Sequence, residues 1–163
     1  MSRKLDEIDN TLLKALSTNG RQTVRALAQE VSLSEPSVRD RLLRLEREGV
    51  ITGYHAAVDP TAVGGSTAAF VALRFQPSEI SKKAMNEALL AEPCVIEAHE
   101  VAGEDCYLLK LRVESTHALA EALDRLKGHP TVDTRTTIVL RTIFERPMDP
   151  MPDASREDAG ADD

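Results

Sequence analysis

The apolar residues change their period near Tyr54, and that change constrains the fold more than any other feature of the chain. Upstream they recur every three or four positions, as one face of an α-helix requires. Downstream, strand-like alternation and helical stripes take turns. The 163 residues divide accordingly into a helical segment, 1–53, and a linker strand or loop, 54–66, marked by Pro60 and Gly64-Gly65. A strand-and-helix module, 67–146, and a tail, 147–163, complete the chain. There is no tryptophan, and only three Phe and two Tyr, so both cores must be built from aliphatic side chains.

The helical segment reads as three short helices. Ile8, Leu12 and Leu16 form one stripe of the first, which Asp6 can cap and Asn19-Gly20 can stop. Val24, Leu27, Ala28 and Val31 share a face of the second. Ser32-Leu33-Ser34 then breaks the helix. Ser34 is a natural N-cap for a third helix, with Pro36 tolerated in the first turn; it runs to about Glu48, buries Val38, Leu42 and Leu45, and stops at Gly49. Strand character follows over Val50–Val58. Two helices joined by a three-residue turn, with a small residue at Ala28 where they cross, have helix-turn-helix spacing.

On a wheel of 100° per residue, Ser37, Asp40, Arg44 and Arg47 lie opposite the buried stripe of the third helix, flanked by Arg39 and Arg41. Guanidinium forks suit guanine edges and phosphates, while Ser37 and Asp40 could contact base edges or brace an arginine. A solvated helix whose Arg and Glu residues pair with one another is the alternative for a basic helix taken alone; the preceding helix, turn and cap favour DNA. The candidate DNA-binding residues are Ser34, Ser37, Arg39, Asp40, Arg41, Arg44 and Arg47.

The net charge of −7 argues against nucleic acid only as an average. Residues 1–53 carry nine basic against eight acidic side chains, and residues 148–163 one against six. The tail, rich in Pro, Ala and Asp without periodicity, reads as a disordered acidic segment.

From Thr67 the order becomes strand, helix, strand, strand, helix, strand, which is the ferredoxin-like βαββαβ arrangement. The strands are expected at Thr67–Phe75, Val95–Val101, Cys106–Val113 and, as one long strand, Val132–Phe144. The first helix is expected from Ser78 to about Glu92 with Ile80, Ala84 and Ala88 in register, and the second carries Leu119, Leu123 and Leu126. Tyr107, Leu109, Leu111 and Val113 alternate toward the helices. Cys106, Leu108, Lys110 and Arg112 face the other way with Ala68, Phe70 and Ala72. A half-apolar face with no helix to cover it suggests another subunit.

Several motifs together resemble the Lrp/AsnC, or feast/famine, transcriptional regulators. They are Leu5-Asp6-x-x-Asp9-x-x-Leu12-Leu13, Asn19-Gly20-Arg21, Leu27-Ala28, and Ser34-x-x-Ser37-Val38-x-x-Arg41-Leu42. Leu45-Glu46-x-x-Gly49-Val50-Ile51-x-Gly53-Tyr54 and Gly103-x-x-x-Tyr107-Leu108-Leu109 continue the series in order over about residues 5–145. The resemblance implies an α+β chain in which a winged-type helix-turn-helix precedes a βαββαβ sensing and oligomerisation domain. It further implies double-stranded DNA as partner, a homodimer assembling to a higher oligomer, commonly an octamer, and an amino-acid effector bound between dimers near the glycine-containing hairpin loop. Family members often place an acid three residues after that glycine, where this chain has Cys106. Glu104 and Asp105 lie one and two residues after it and could meet an effector's ammonium, with backbone N–H groups near Gly103 for its carboxylate. The alternative is an ordinary acidic turn. The candidate effector residues are Gly103, Glu104 and Asp105, with Thr134 and Thr136 as weaker ones; regulators that sense no amino acid are a further alternative.

Other chemistries find no support in the pattern. The four histidines lack ligand spacing, there is no C-x-x-C, and Cys94 and Cys106 fall too far apart along the hairpin for a disulfide. No phosphate loop or nucleophile elbow occurs. No cofactor, metal or membrane partner is expected, and without an apolar leader or span the chain is expected in the cytoplasm. The competing function is a metabolite-binding module, or a small amino-acid-metabolising enzyme, whose N-terminal helices serve protein contacts.

Overall fold

Helix formation begins at a reciprocal cap. The Asp9 N–H donates to Asp6 Oδ1 at 2.8 Å, and the Asp6 N–H donates to Asp9 Oδ2 at 3.2 Å. Two donors that a first turn otherwise orphans are thereby satisfied. The helix so started, α1 (Glu7–Thr18), ends at Asn19. The computed structural model describes residues 5–75, 81–127 and 132–145; the expected acidic tail lies outside them.

Thr23 caps α2 (Val24–Glu30), and Ser34 caps α3 (Glu35–Arg47), whose first turn accommodates Pro36. Between α2 and α3 the chain reverses through Ser32, held at φ 54°, and the Leu33 N–H donates to the Ala28 carbonyl at 3.0 Å. A left-handed non-glycine residue is uncommon, and here it lets the turn close within three residues. Leu12, Ala15, Leu27, Ala28, Val38 and Leu42 make the core of the three helices. Ala28 is 5% exposed, so a larger side chain at this crossing would have no room.

No strand forms over Val50–Val58, contrary to the sequence expectation. Strand character needs a neighbour with which to exchange hydrogen bonds, and none of the described strands pairs with this segment. Instead the Tyr54 ring lies by Gly20, and its hydroxyl donates to Glu46 at 2.8 Å. A short 3₁₀ turn, Pro60–Val63, follows, capped by Asp59 and ended by Gly64 at φ 82°.

The second unit, Val58–Ile143, contains β1 (Thr67–Arg74), α4 (Lys82–Ala91), β2 (Val95–Glu100), β3 (Tyr107–Val113), α5 (Thr116–Leu126) and β4 (Asp133–Ile138). The strands form one antiparallel sheet in the order β2-β3-β1-β4. This is the expected split βαββαβ topology. Met85 and Leu89 of α4 and Leu119, Ala122 and Leu126 of α5 pack with Val71, Leu73, Leu109 and Leu111, so both helices cover the same face.

Two details differ from the sequence reading. Ser81 caps α4, and the buried stripe is Met85 and Leu89, with Ala84 and Ala88 exposed. Exposing an alanine costs little, so the larger apolar side chains decide which face turns inward; Ser78 and Ile80 lie outside the described residues. The last strand ends at Ile138 rather than Phe144. Ile138 stands opposite Ala69, and the Val139 N–H still reaches the Ala68 carbonyl at 2.9 Å. Since β1 begins at Thr67, little strand remains beyond this point for β4 to pair with.

On the other face, Phe70 is 41% and Leu108 40% exposed, flanked by the buried alanines Ala68 and Ala72. Phe70 stands opposite Lys110 and Ala72 opposite Leu108. Among the described residues no helix covers this face, as the alternation led us to expect.

Candidate functional site

The geometry of α3 sorts its polar residues into two groups. Ser34, Ser37, Arg39, Asp40 and Arg47 are exposed. Ser34 is partly occupied as the cap, its Oγ 2.8 Å from that of Ser37. Leu43, which the sequence reading left out, is 56% exposed on the same side as Arg39, Asp40 and Arg47. A helix offering guanidinium forks for guanine, small polar side chains, and an apolar side chain for a thymine methyl is equipped to read a major groove.

Arg41 and Arg44 form the second group, and both turn back toward α1. Arg41 Nη1 donates to Asp6 Oδ2 at 2.6 Å and to Asp9 Oδ1 at 2.8 Å. Arg44 Nη2 lies 2.6 Å from both carboxylate oxygens of Asp9. The Asp9 side chain is 3% exposed, against 26% for Arg41 and 20% for Arg44. A carboxylate buried to that degree is tolerable only when paired and hydrogen-bonded. Burial pushes the Asp6 carboxyl upward, but the Asp9 N–H and the Arg41 guanidinium outweigh it and hold the group below its ordinary value. No sequence signal short of the paired motif positions marks this contact, because its partners stand 32 to 35 residues apart.

The hairpin loop between β2 and β3 places Gly103 at φ 147°, with open space where a side chain would project. Glu104 accepts from Arg74 Nη2 at 3.0 Å, and Asp105 from Arg135 Nη2 at 2.6 Å. Arg74 lies 3.8 Å from Asp105 as well. The four side chains thus form an alternating set of two carboxylates and two guanidiniums, and the sequence reading missed both arginines. Thr134 and Thr136 stand opposite Leu73 and Val71 on the helix-covered face, so the structure does not bring them to the loop acids. A separate groove of about 460 Å³ opens between α4 and β2, lined by Asn86, Leu89, Leu90, Ile96, Glu100 and Tyr107 among others; none of the five candidate effector residues lines it.

Among the described residues no group of three or more His, Cys, Asp or Glu could hold a metal, and no helix is long and apolar enough to cross a membrane. Cys94 and Cys106 are free thiols.

Residues 5–52 match the model for a winged helix-turn-helix DNA-binding domain, and residues 68–149 that for the Lrp/AsnC ligand-binding domain. The chain is 39% identical over 145 residues to the HTH-type transcriptional regulator LrpA of Mycobacterium tuberculosis, covering 88% of this chain and 95% of that one. It is also similar to the solved structure of a feast or famine regulatory protein from M. tuberculosis complexed with L-methionine. The identity is 38% and the TM-score 0.84, with 90% of this chain and all of that one covered. A transcriptional regulator–L-methionine complex from Neisseria meningitidis shows 28% identity and a TM-score of 0.82, covering 88% and 94%. Relatives over nearly the whole length are named as regulators, which sets aside the enzyme reading. The chain belongs to the Lrp/AsnC family: it is a helix-turn-helix transcriptional regulator.

Proposed function

We propose that this regulator recognises double-stranded DNA through the exposed face of α3 and that an amino acid, bound at the β2–β3 loop, sets its assembly or its DNA affinity. Ser37, Arg39, Asp40 and Arg47 face the bases and phosphates, with Ser34 holding the start of the helix. The single observation that carries the DNA-contact assignment is the exposure of Arg39 and Arg47 on a helix whose other two arginines are occupied. Such a regulator acts in the cytoplasm, where its DNA is.

For the effector, the reading keeps Gly103, Glu104 and Asp105 and adds Arg74 and Arg135. Thr134 and Thr136 drop out because they lie on the covered face. A zwitterion carries one ammonium and one carboxylate, so it can exchange partners with a carboxylate–guanidinium pair without leaving any charge unmatched. The L-methionine complexes of the two similar regulators support an amino acid as the ligand class. A thermal-shift screen of the twenty amino acids tests this: one or more should raise the unfolding midpoint, since a ligand binding only the folded state stabilises it by mass action. Asp105→Asn should abolish the shift. A flat response of the wild type across all twenty would count against an amino-acid effector.

Assembly is proposed to use the uncovered sheet face, as a homodimer that associates further, to an octamer. Apolar Phe70 and Leu108 need a cover, and a second copy of the same face supplies one under two-fold symmetry. Phe70→Glu should shift the chain to a smaller species in analytical ultracentrifugation, whereas an unchanged mass would rule this face out.

A further inference from the structure

Asp9 serves three partners at once: the Asp6 N–H, Arg41 and Arg44. Its side chain is almost wholly buried, and Arg44 Nε beside it is buried with no hydrogen-bond partner among the described residues. The guanidinium is therefore held inward by Asp9 rather than by a general excess of acceptors. A phosphate on DNA offers an arginine the same oxygen chemistry that Asp9 already provides. A phosphate contact is blind to sequence and tightens binding to every duplex equally, while base-edge contacts discriminate. A recognition helix with four available arginines would gain much of its affinity without discrimination.

We infer that Asp9 is a positioning residue that limits sequence-blind DNA affinity: by holding Arg41 and Arg44 against α1, it withholds two positive charges from the DNA backbone. Contacts from α3 then fall to Arg39, Arg47 and the small polar residues beside them. The inference rests on the DNA-contact reading above and adds to it a residue that never touches DNA. Its effect is one of subtraction. The binding domain gives up sequence-blind affinity per copy, while the difference in affinity between one duplex and another stays with the base-edge contacts.

The salt dependence of binding distinguishes this role from a merely structural one. The full chain is titrated against a random-sequence duplex of about 30 base pairs between about 50 and 200 mM salt. Asp9→Asn keeps the size of the side chain and an oxygen for the Asp6 N–H, but removes the charge that holds the arginines. The slope of log affinity against log salt should steepen by about 0.9 for each arginine freed per engaged helix. The loss across that fourfold rise in salt should then grow about 3.5-fold for one arginine and about 12-fold for both. Arg41→Gln and Arg44→Gln should leave the slope at the wild-type value while lowering the unfolding midpoint. These two variants carry the test should Asp9→Asn fail to fold. A folded Asp9→Asn with a wild-type or shallower slope overturns the inference, as does a slope reduced by about one contact in Arg44→Gln. Arg39→Ala controls for the underlying reading. If neither its slope nor its affinity differs from the wild type, on random duplex or on the chain's own promoter DNA, the assignment of the DNA-facing side fails, whatever Asp9→Asn does.

Discussion

Replacing Arg39 and Arg47 together by alanine is expected to weaken DNA binding by about 2–6 kcal/mol for each α3 engaged, taking about 1–3 kcal/mol per arginine that forks a guanine. That is a loss of roughly thirtyfold or more in affinity. Both side chains are exposed and take no part in either core, so the unfolding midpoint and the oligomeric mass should stay at wild-type values. Where either arginine contacts a phosphate instead, its share of the loss should appear uniformly across sequences, with the salt slope reduced by about one per helix. Mobility shifts with the chain's own promoter region and with random duplex separate the two cases. Undiminished affinity for both duplexes would remove the exposed face of α3 from the interface. The experiment thus reads the division of labour on one helix, in which Arg39 and Arg47 point outward while Arg41 and Arg44 are spent inward.

Leu109→Ala should have the largest effect on stability, about 2–5 kcal/mol. Leu109 is fully buried in β3, opposite Val71 of β1 and Ala98 of β2. Truncation there leaves a cavity lined by strands on both sides and by the helices above, where neighbours cannot easily collapse inward. Because a domain of this size is stable by only about 5–15 kcal/mol, a loss of this order brings the sensing domain close to unfolding. Urea denaturation followed by circular dichroism should show the midpoint falling steeply. The helix-turn-helix has its own separate core of Leu12, Ala15, Leu27, Ala28, Val38 and Leu42, so its helical signal should persist to a higher urea concentration. A single cooperative transition shifted as a whole would contradict that independence.

Much of this was legible from local chemistry. Ser34 and Pro36 announce the start of α3, the Leu12 and Val38 stripes identify the inner faces, and the alternation in β3 separates its two sides, because each signal depends on neighbours within a few residues. The misreadings share a different origin. Ala84 and Ala88 have the right spacing for a core stripe in α4, yet Met85 and Leu89 win because they have more surface to bury. The extent of β4 is fixed by where β1 begins, and the face on which Thr134 and Thr136 lie is fixed by their register against β1. Arg41 and Arg44 look like Arg39 and Arg47 on a helical wheel, and only the distant Asp9 distinguishes them. Arg74 and Arg135 escaped notice for the same reason, since neither is near Glu104 or Asp105 in sequence. Sequence periodicity reports what a residue shares with its own element; the pairing of charges across elements depends on how those elements dock.

The cap at the start of α1 has a consequence for how the domain folds. The aspartate that completes the reciprocal cap also anchors the arginines of α3, so the first turn of one helix and the docking of another use the same carboxylate. An isolated α1 of 12 residues is too short to be stably helical in water. Its nucleation and its tertiary contact are therefore thermodynamically coupled. The unfavourable first turn is offset largely when α3 arrives, and fraying of that end should draw α3 away with it. In hydrogen exchange, the amides at the start of α1 and in the middle of α3 should open as one cooperative unit rather than as a loose terminus beside a stable helix.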